Sequence, residues 1–219
     1  MSNEHPDPSV SGAPVRGEPI AVELMNTLWA DREGLHDALA TARGANAWLG
    51  EVGDRLPHIR AIRGSVRTNL TAAEAAQLRR LRDAIRIVAA NVTADPRVVA
   101  DPPGPGRMSV DDAVSAINDA AASLSPRLLR RVKGVVIADR RANSSVDASI
   151  AGFAVDAVPL LAGEHEGGPL RACLAPRCVL YFAQDHSRRA WCSPACGNRA
   201  RVARHYARAQ VAKRRSSTR

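Results

Sequence analysis

The chain has 219 residues, 45% hydrophobic but only 3% aromatic, enough for one good core of small side chains and unlike an aromatic-rich β-sandwich. Its formal charge of +9 is lopsided: residues 171–219 hold twelve of the 31 Lys and Arg and one of the 22 acids. That leaves +11 there and nineteen bases against 21 acids, or −2, elsewhere, so the C-terminal end is marked as the partner-binding end, because compositional drift would spread the excess evenly.

Residues 1–18, "MSNEHPDPSVSGAPVRGE", are polar and proline-rich and predict a disordered leader without the apolar core of a secretory signal. From Ile20, "IAVELMNTLWA" sets Val22, Met25 and Trp29 at helical spacing. "GLHDALATARGANAWLGEVG" extends the pattern through Leu35, Leu39, Ala42, Trp48 and Leu49, and both predict core helices. The clearest helix is "TAAEAAQLRRLRDAIRIVAANVTA", with Thr71 as N-cap and Glu74 in the capping-box position. Leu78, Leu81, Ile85 and Val88 line one face. Arg79, Arg80, Arg82 and Arg86 occupy the others, and with acids balancing them in this region a solvated face is preferred to a nucleic-acid surface.

"DPRVVADPPGPGRM" (95–108) reads as a long loop. Ser109 then caps "VDDAVSAINDAAASL", with Asp111 and Asp112 in the favourable first turn. "SPRLLRRV" predicts a short helix, "GVVIAD" (134–139) a strand and "RANSS" a turn. A further helix from about residue 147 to residue 162 turns Ile150, Phe153, Ala157 and Leu161 inward, with a kink expected at Pro159. "GEHEGGP" (163–169) is a linker. No run approaches the roughly 18 apolar residues of a membrane helix, so the expected setting is the cytoplasm, where thiols stay reduced.

Residues 19–165 offer no recognisable catalytic motif: no Walker A, no dinucleotide-binding glycine pattern, no GxSxG elbow. His165-Glu166 lacks the second histidine of an HExxH helix, His36 and His58 are isolated, and Glu23, Asp31 and Glu33 have no partner group in sequence. The expectation is a protein that is not an enzyme.

All four cysteines fall between residues 173 and 196, spaced Cys173-x4-Cys178-x13-Cys192-x3-Cys196. Two close pairs separated by a hairpin-sized interval suit one tetrahedral Zn²⁺, and four soft thiolates favour zinc over harder ions. Reduced thiols without metal, disulfides and an iron–sulfur cluster are the weaker alternatives, the last because ferredoxin spacings do not match. A four-thiolate site leaves no open position for water, so the single zinc is structural. Between the pairs, "VLYFA" (179–183) reads as a strand, "QDHSRR" as a turn and "AWC" (190–192) as the returning strand. Tyr181, Phe182, Trp191 and Tyr206 are four of the seven aromatics and are expected to pack around the metal rather than stack on bases.

Ser193 and Pro194 then open a helix as N-cap and first residue. It is expected to run to about Ala212, roughly 28 Å. At 100° per residue Arg201, Arg204, Arg208 and Arg215 share a stripe about 60° wide, while Val202, Ala203, Tyr206 and Ala209 face the other way to cover the hairpin. Such a cationic stripe suits phosphates and guanine edges. With Arg188 and Arg189 of the hairpin turn, these arginines are the candidate DNA contacts; RNA or an acidic protein is the alternative partner.

"WCSPACGNRARVARHYAR" resembles the CGNR-type zinc finger, named for the tetrad that stands here as Cys196-Gly197-Asn198-Arg199, and "CLAPRCVLYFAQDHSRR" extends the likeness to the first cysteine pair. Proteins of this type carry an N-terminal stress-induced transcription regulator domain, also called ABATE, whose opening motif resembles "IAVELMNTL" with Asn26 and Thr27. Many members have one more residue between the last two cysteines, although three still permit chelation. The resemblance implies a bacterial, zinc-dependent DNA-binding regulator of transcription and stress response. Gly197 is then expected to let the helix approach the zinc loop, Asn198 to bond that loop's backbone, and Arg199 to brace the finger. The resulting architecture is mainly α: a leader at 1–18, a helical regulator domain at 19–165 with room for a small β-hairpin, a treble-clef-like four-cysteine finger with its basic helix at 166–212, and a basic tail at 213–219. The helical domain is left with two roles, sensing a small molecule or forming a homodimer.

Overall fold

The computed structural model describes residues 10–55, 69–97, 108–124, 128–133, 135–139 and 145–217. The first helix, α1 (Ile20–Met25), is wholly buried. It stops short of Trp29 because two polar residues take over: Thr27 Oγ1 turns back to donate to Leu24 O at 2.7 Å, and the Asn26 amide is engaged elsewhere in the chain. The residues expected to continue the helix instead form a hairpin, β1 (Leu28–Ala30) antiparallel to β2 (Leu35–Asp37), with Trp29 stacked on His36 at 5.2 Å. Helix α2 (Ala42–Val52) follows, its Thr41 cap accepting from Gly44 N at 3.1 Å.

Helix α3 (Ala72–Val92) is started by the expected box: Thr71 accepts from Glu74 N at 3.3 Å and its own N–H donates to Glu74 Oε2 at 2.6 Å. The same device, Ser109 with Asp112, starts α4 (Val110–Ala122). The expected long loop lies mostly outside the described residues. "SPRLLRRV" is corrected from helix to strand: β3 (Leu128–Val132) pairs antiparallel with β4 (Val135–Asp139) across a turn in which Lys133 has φ 48°. The β-branched run immediately downstream offers a ladder that outweighs the local helical preference. The "RANSS" turn lies largely outside the described residues. Helix α5 (Ser145–Ala162) contains Pro159 near its C-terminus and ends at Gly163.

Helices α1, α3, α4 and α5 pack together around Leu24, Met25, Leu78, Ile85 and Leu160, with Trp48 stacked on Phe153 at 5.4 Å. The expected disorder of residues 1–18 is corrected for its second half, while residues 1–9 lie outside the description. Ala13 and Glu18 are buried. The cause is the buried carboxylate of Glu23, which needs donors and finds Arg16 N, Glu18 N and Arg55 Nη1 at 2.8–3.0 Å.

The remaining elements are β5 (Leu170–Ala172), β6 (Tyr181–Ala183) and α6 (Pro194–Ser217). The strand at 181–183 was expected to pair with residues 190–192; it pairs instead with β5, upstream of the first cysteine. Gly168 makes this possible, because at φ 91° a Cβ there would lie 2.2 Å from Gln184 O. Strand β6 is buried on both sides: Tyr181 joins the large helical core, whereas Leu180 and Phe182 join the cysteines in a second, smaller core. Period-two alternation thus makes one strand the shared wall of two cores.

Candidate metal centre and basic helix

The four cysteines are buried and free of disulfides, with their sulfurs all within 4.8 Å of one another. Cys178 Sγ stands 3.8 Å from Cys192 Sγ, which stands 3.5 Å from Cys196 Sγ. Thiolates bound tetrahedrally about 2.3 Å from Zn²⁺ lie roughly 3.8 Å apart, so the donor set fits that ion. Crowding the sulfurs splits their acidities. Hydrogen bonding from Cys178 lowers the Cys173 thiol to about 7, and Cys173, Cys178 and Cys192 together lower Cys196 further. Cys178 and Cys192, each interacting most strongly with Cys173, are raised. A cation that replaces the shared protons relieves this competition.

The tetrad after Cys192 divides its labour. Ser193 Oγ accepts from Cys196 N at 3.2 Å and so caps α6 as expected. Gly197 is where the helix meets the zinc loop: a Cβ there would stand 3.1 Å from Trp191 Cδ1. Arg199 Nη2 donates to Cys196 Sγ at 2.9 Å, placing a positive charge beside a cluster that carries −2 once zinc is bound. Asn198, expected on the zinc loop's backbone, is corrected: its Oδ1 accepts a short hydrogen bond from Arg201 on its own helix.

The DNA-contact candidates also separate. Arg188, Arg201, Arg204 and Arg208 are exposed. Arg189 is committed inward: its guanidinium pairs with the buried Glu18 carboxylate, donates to Ala183 O at 2.9 Å and lies 5.1 Å over the Phe182 ring. Arg215 lies in α6, but its side chain is outside the description. The helix runs five residues past the expected end. From residue 201 to residue 210 every side chain is exposed, so Val202, Ala203, Tyr206 and Ala209 do not cover the finger. Trp29 and Trp191 close the finger's core instead, which leaves residues 201–210 of α6 exposed.

Other residues near the metal centre carry no motif of their own. The Asn26 amide makes a two-point contact with the Tyr181 backbone, donating to its O at 3.0 Å and accepting from its N at 2.9 Å. Glu18 accepts from Ala183 N at 3.0 Å, and burial raises its carboxyl. Arg86, expected on a solvated face, is fully buried, donating to Met25 O at 2.9 Å and Val179 O at 3.1 Å. Arg82 is buried too, pairing with Asp37, Asp83 and Thr27. Only Asn26 carried a signal, through its place in "IAVELMNTL".

Elsewhere, Asp31, Glu33 and His36 come together on the β1–β2 turn, where Asp31 serves His36 and the turn's own N–H groups. A cavity of about 350 Å³ between α3, α4 and α5 is lined by Leu81, Met108, Ala116 and Ile150, with Arg80 and Asp119. Among the described residues no helix is long and apolar enough to cross a membrane.

A family model described as "Putative stress-induced transcription regulator" (ABATE) matches residues 18–164, roughly two thirds of the chain, and one described as "CGNR zinc finger" matches residues 170–209. A search of curated proteins returns no match. The chain therefore belongs to the ABATE family, and Cys173, Cys178, Cys192 and Cys196 form the zinc-binding site of its C-terminal CGNR zinc finger.

Proposed function

We propose that this zinc-binding protein regulates transcription by inserting α6 into the DNA major groove, with the finger as its mount and no catalytic step of its own. The observation that carries this reading is the stretch from residue 201 to residue 210. Every residue is exposed, no acid is present, and arginines stand at 201, 204 and 208. No side chain of residues 201–210 is buried against the rest of the chain, and so cationic an exposed stretch suits a polyanionic partner. An α-helix about 10–12 Å across fits a major groove about 12 Å wide. The Asn198 contact holds Arg201 along the helix, and exposed Arg188 lies in the finger. Arg189 does not belong to this surface. In the same reading the cavity between α3, α4 and α5 is where a small effector of the helical domain would bind.

The test is fluorescence anisotropy of full-length, zinc-loaded protein on labelled genomic duplexes across a salt series. Arg204→Ala/Arg208→Ala should weaken binding and reduce the slope of log K against log salt by about 1.8, or 0.9 per lost phosphate contact. Zinc content should be unchanged. Normal DNA binding by this variant sinks the assignment of α6, and stronger binding to RNA than to any duplex favours the alternative partner.

A further inference from the structure

The first zinc loop, residues 173–183, is held mainly from outside the finger. Arg97 Nη1 donates to the carbonyl oxygens of both ligands of the first pair, Cys173 at 3.0 Å and Cys178 at 2.7 Å. Its guanidinium is oriented by Asp95, through Nε at 2.7 Å and Nη2 at 2.5 Å, and Asp95 Oδ2 accepts from the Tyr181 hydroxyl at 2.7 Å. Burial alone would raise the Asp95 carboxyl, but Arg97 and Tyr181 hold it below its ordinary value. Arg86 takes the next carbonyl, Val179 O, and lies 5.1 Å from the Tyr181 ring centroid; Asn26 takes the backbone of Tyr181 itself. The carbonyls of Cys173, Cys178, Val179 and Tyr181 are therefore all fixed by side chains of residues 26–97.

Arg86 makes this arrangement reciprocal. It is fully buried, burial lowers its guanidinium to about 10, and its Nε has no partner. Among the described residues no carboxylate bonds to it, so two carbonyls and one ring hold this cation, and Val179 O and Tyr181 belong to the zinc loop. Unravelling that loop would strand a buried charge in the helical core, a costly state. Groups that orient metal ligands without touching the metal commonly change its affinity 10–100-fold.

We propose that Arg97 and Arg86 are positioning residues of the zinc centre, so that the helical domain sets how long the finger holds its metal and feels its loss. This inference is independent of the DNA reading. In full-length, zinc-loaded protein, transfer of zinc to an excess of a chromophoric chelator is timed, and circular dichroism follows the fold. Arg97→Met should release zinc at least about tenfold faster, and Arg97→Lys should recover part of the difference. Ile117→Ala, in α4 and away from the finger, should lower the thermal midpoint without matching that acceleration. Unchanged release from Arg97→Met, or equal acceleration by Ile117→Ala, overturns the proposal. A second measurement needs no variant: removing zinc from the wild-type chain should strip hydrogen-exchange protection from residues 20–27 while residues 110–122 keep theirs. Protection retained at 20–27 also overturns it.

Discussion

Helices α3 and α6 both carry runs of arginine, and the structure uses them in opposite ways. In α3, Arg82 and Arg86 are each only 2% exposed and spend their donors inside the protein, on carboxylates in one case and carbonyls in the other. In α6, Arg201, Arg204 and Arg208 stand in solvent on a stretch with no acidic neighbour. The side chain is the same; what differs is the set of acceptors that the fold brings to it. An arginine surrounded by internal acceptors becomes part of the architecture, whereas Arg201 and Arg204, each meeting one acceptor on its own helix, keep most of their donors in solvent for a partner.

Substitutions can sharpen this contrast. The largest effect is expected from Arg82→Met, which leaves Asp37 and Asp83 without their cation. Removing one partner of a buried pair costs about 3–5 kcal/mol of unfolding free energy, measurable by denaturant titration. Burial raises the Asp83 carboxyl and Arg82 lowers it, so removing Arg82 makes protonation in the folded state easier still. The deficit relative to wild type should therefore shrink as pH falls from about 7 toward about 5, where the folded variant binds more protons than the unfolded chain. Arg86→Met should cost less, about 2–3 kcal/mol, because two carbonyls lose a charged donor while a costly buried cation disappears. If Arg86→Met were neutral, the view of α3 as an internal hub would fail. The smallest effect is expected from Arg204→Ala, within about 0.5 kcal/mol of wild type in stability. Its consequence should appear only in DNA affinity, and a large stability loss there would mean α6 is packed after all.

Part of this contrast is visible in α3 itself. At 100° per residue Arg82 falls inside the arc set by Ala75, Leu78, Leu81, Ile85 and Val88, and Arg86 lies about 20° beyond its edge, while Arg80 is on the far side. Balancing acids against bases over the whole region hid that distinction. Apart from Asp83, the neighbour of Arg82, the acceptors come from residues 25, 27, 37 and 179, far away in the chain, and no local pattern announces them.

What the sequence determined by itself is whatever short-range chemistry controls. The capping box at Thr71, the Ser109 cap, the Ser193 start of α6 and the four-thiolate zinc set all depend on residues a few positions apart or on ligand spacing, and each is where it was expected. Tertiary structure decided the rest. It stopped α1 at Met25 by giving Asn26 the Tyr181 backbone, turned "LLRRV" into a strand through its neighbour, drew Arg189 inward to Glu18 and left Val202, Ala203, Tyr206 and Ala209 of α6 uncovered. The common reason is that a polar group settles where its acceptor is, and a strand forms where a partner edge is. For Asn26, Arg86 and Arg189 those partners come from distant parts of the chain, so their roles exist only once the helical core and the finger share β6 as a wall.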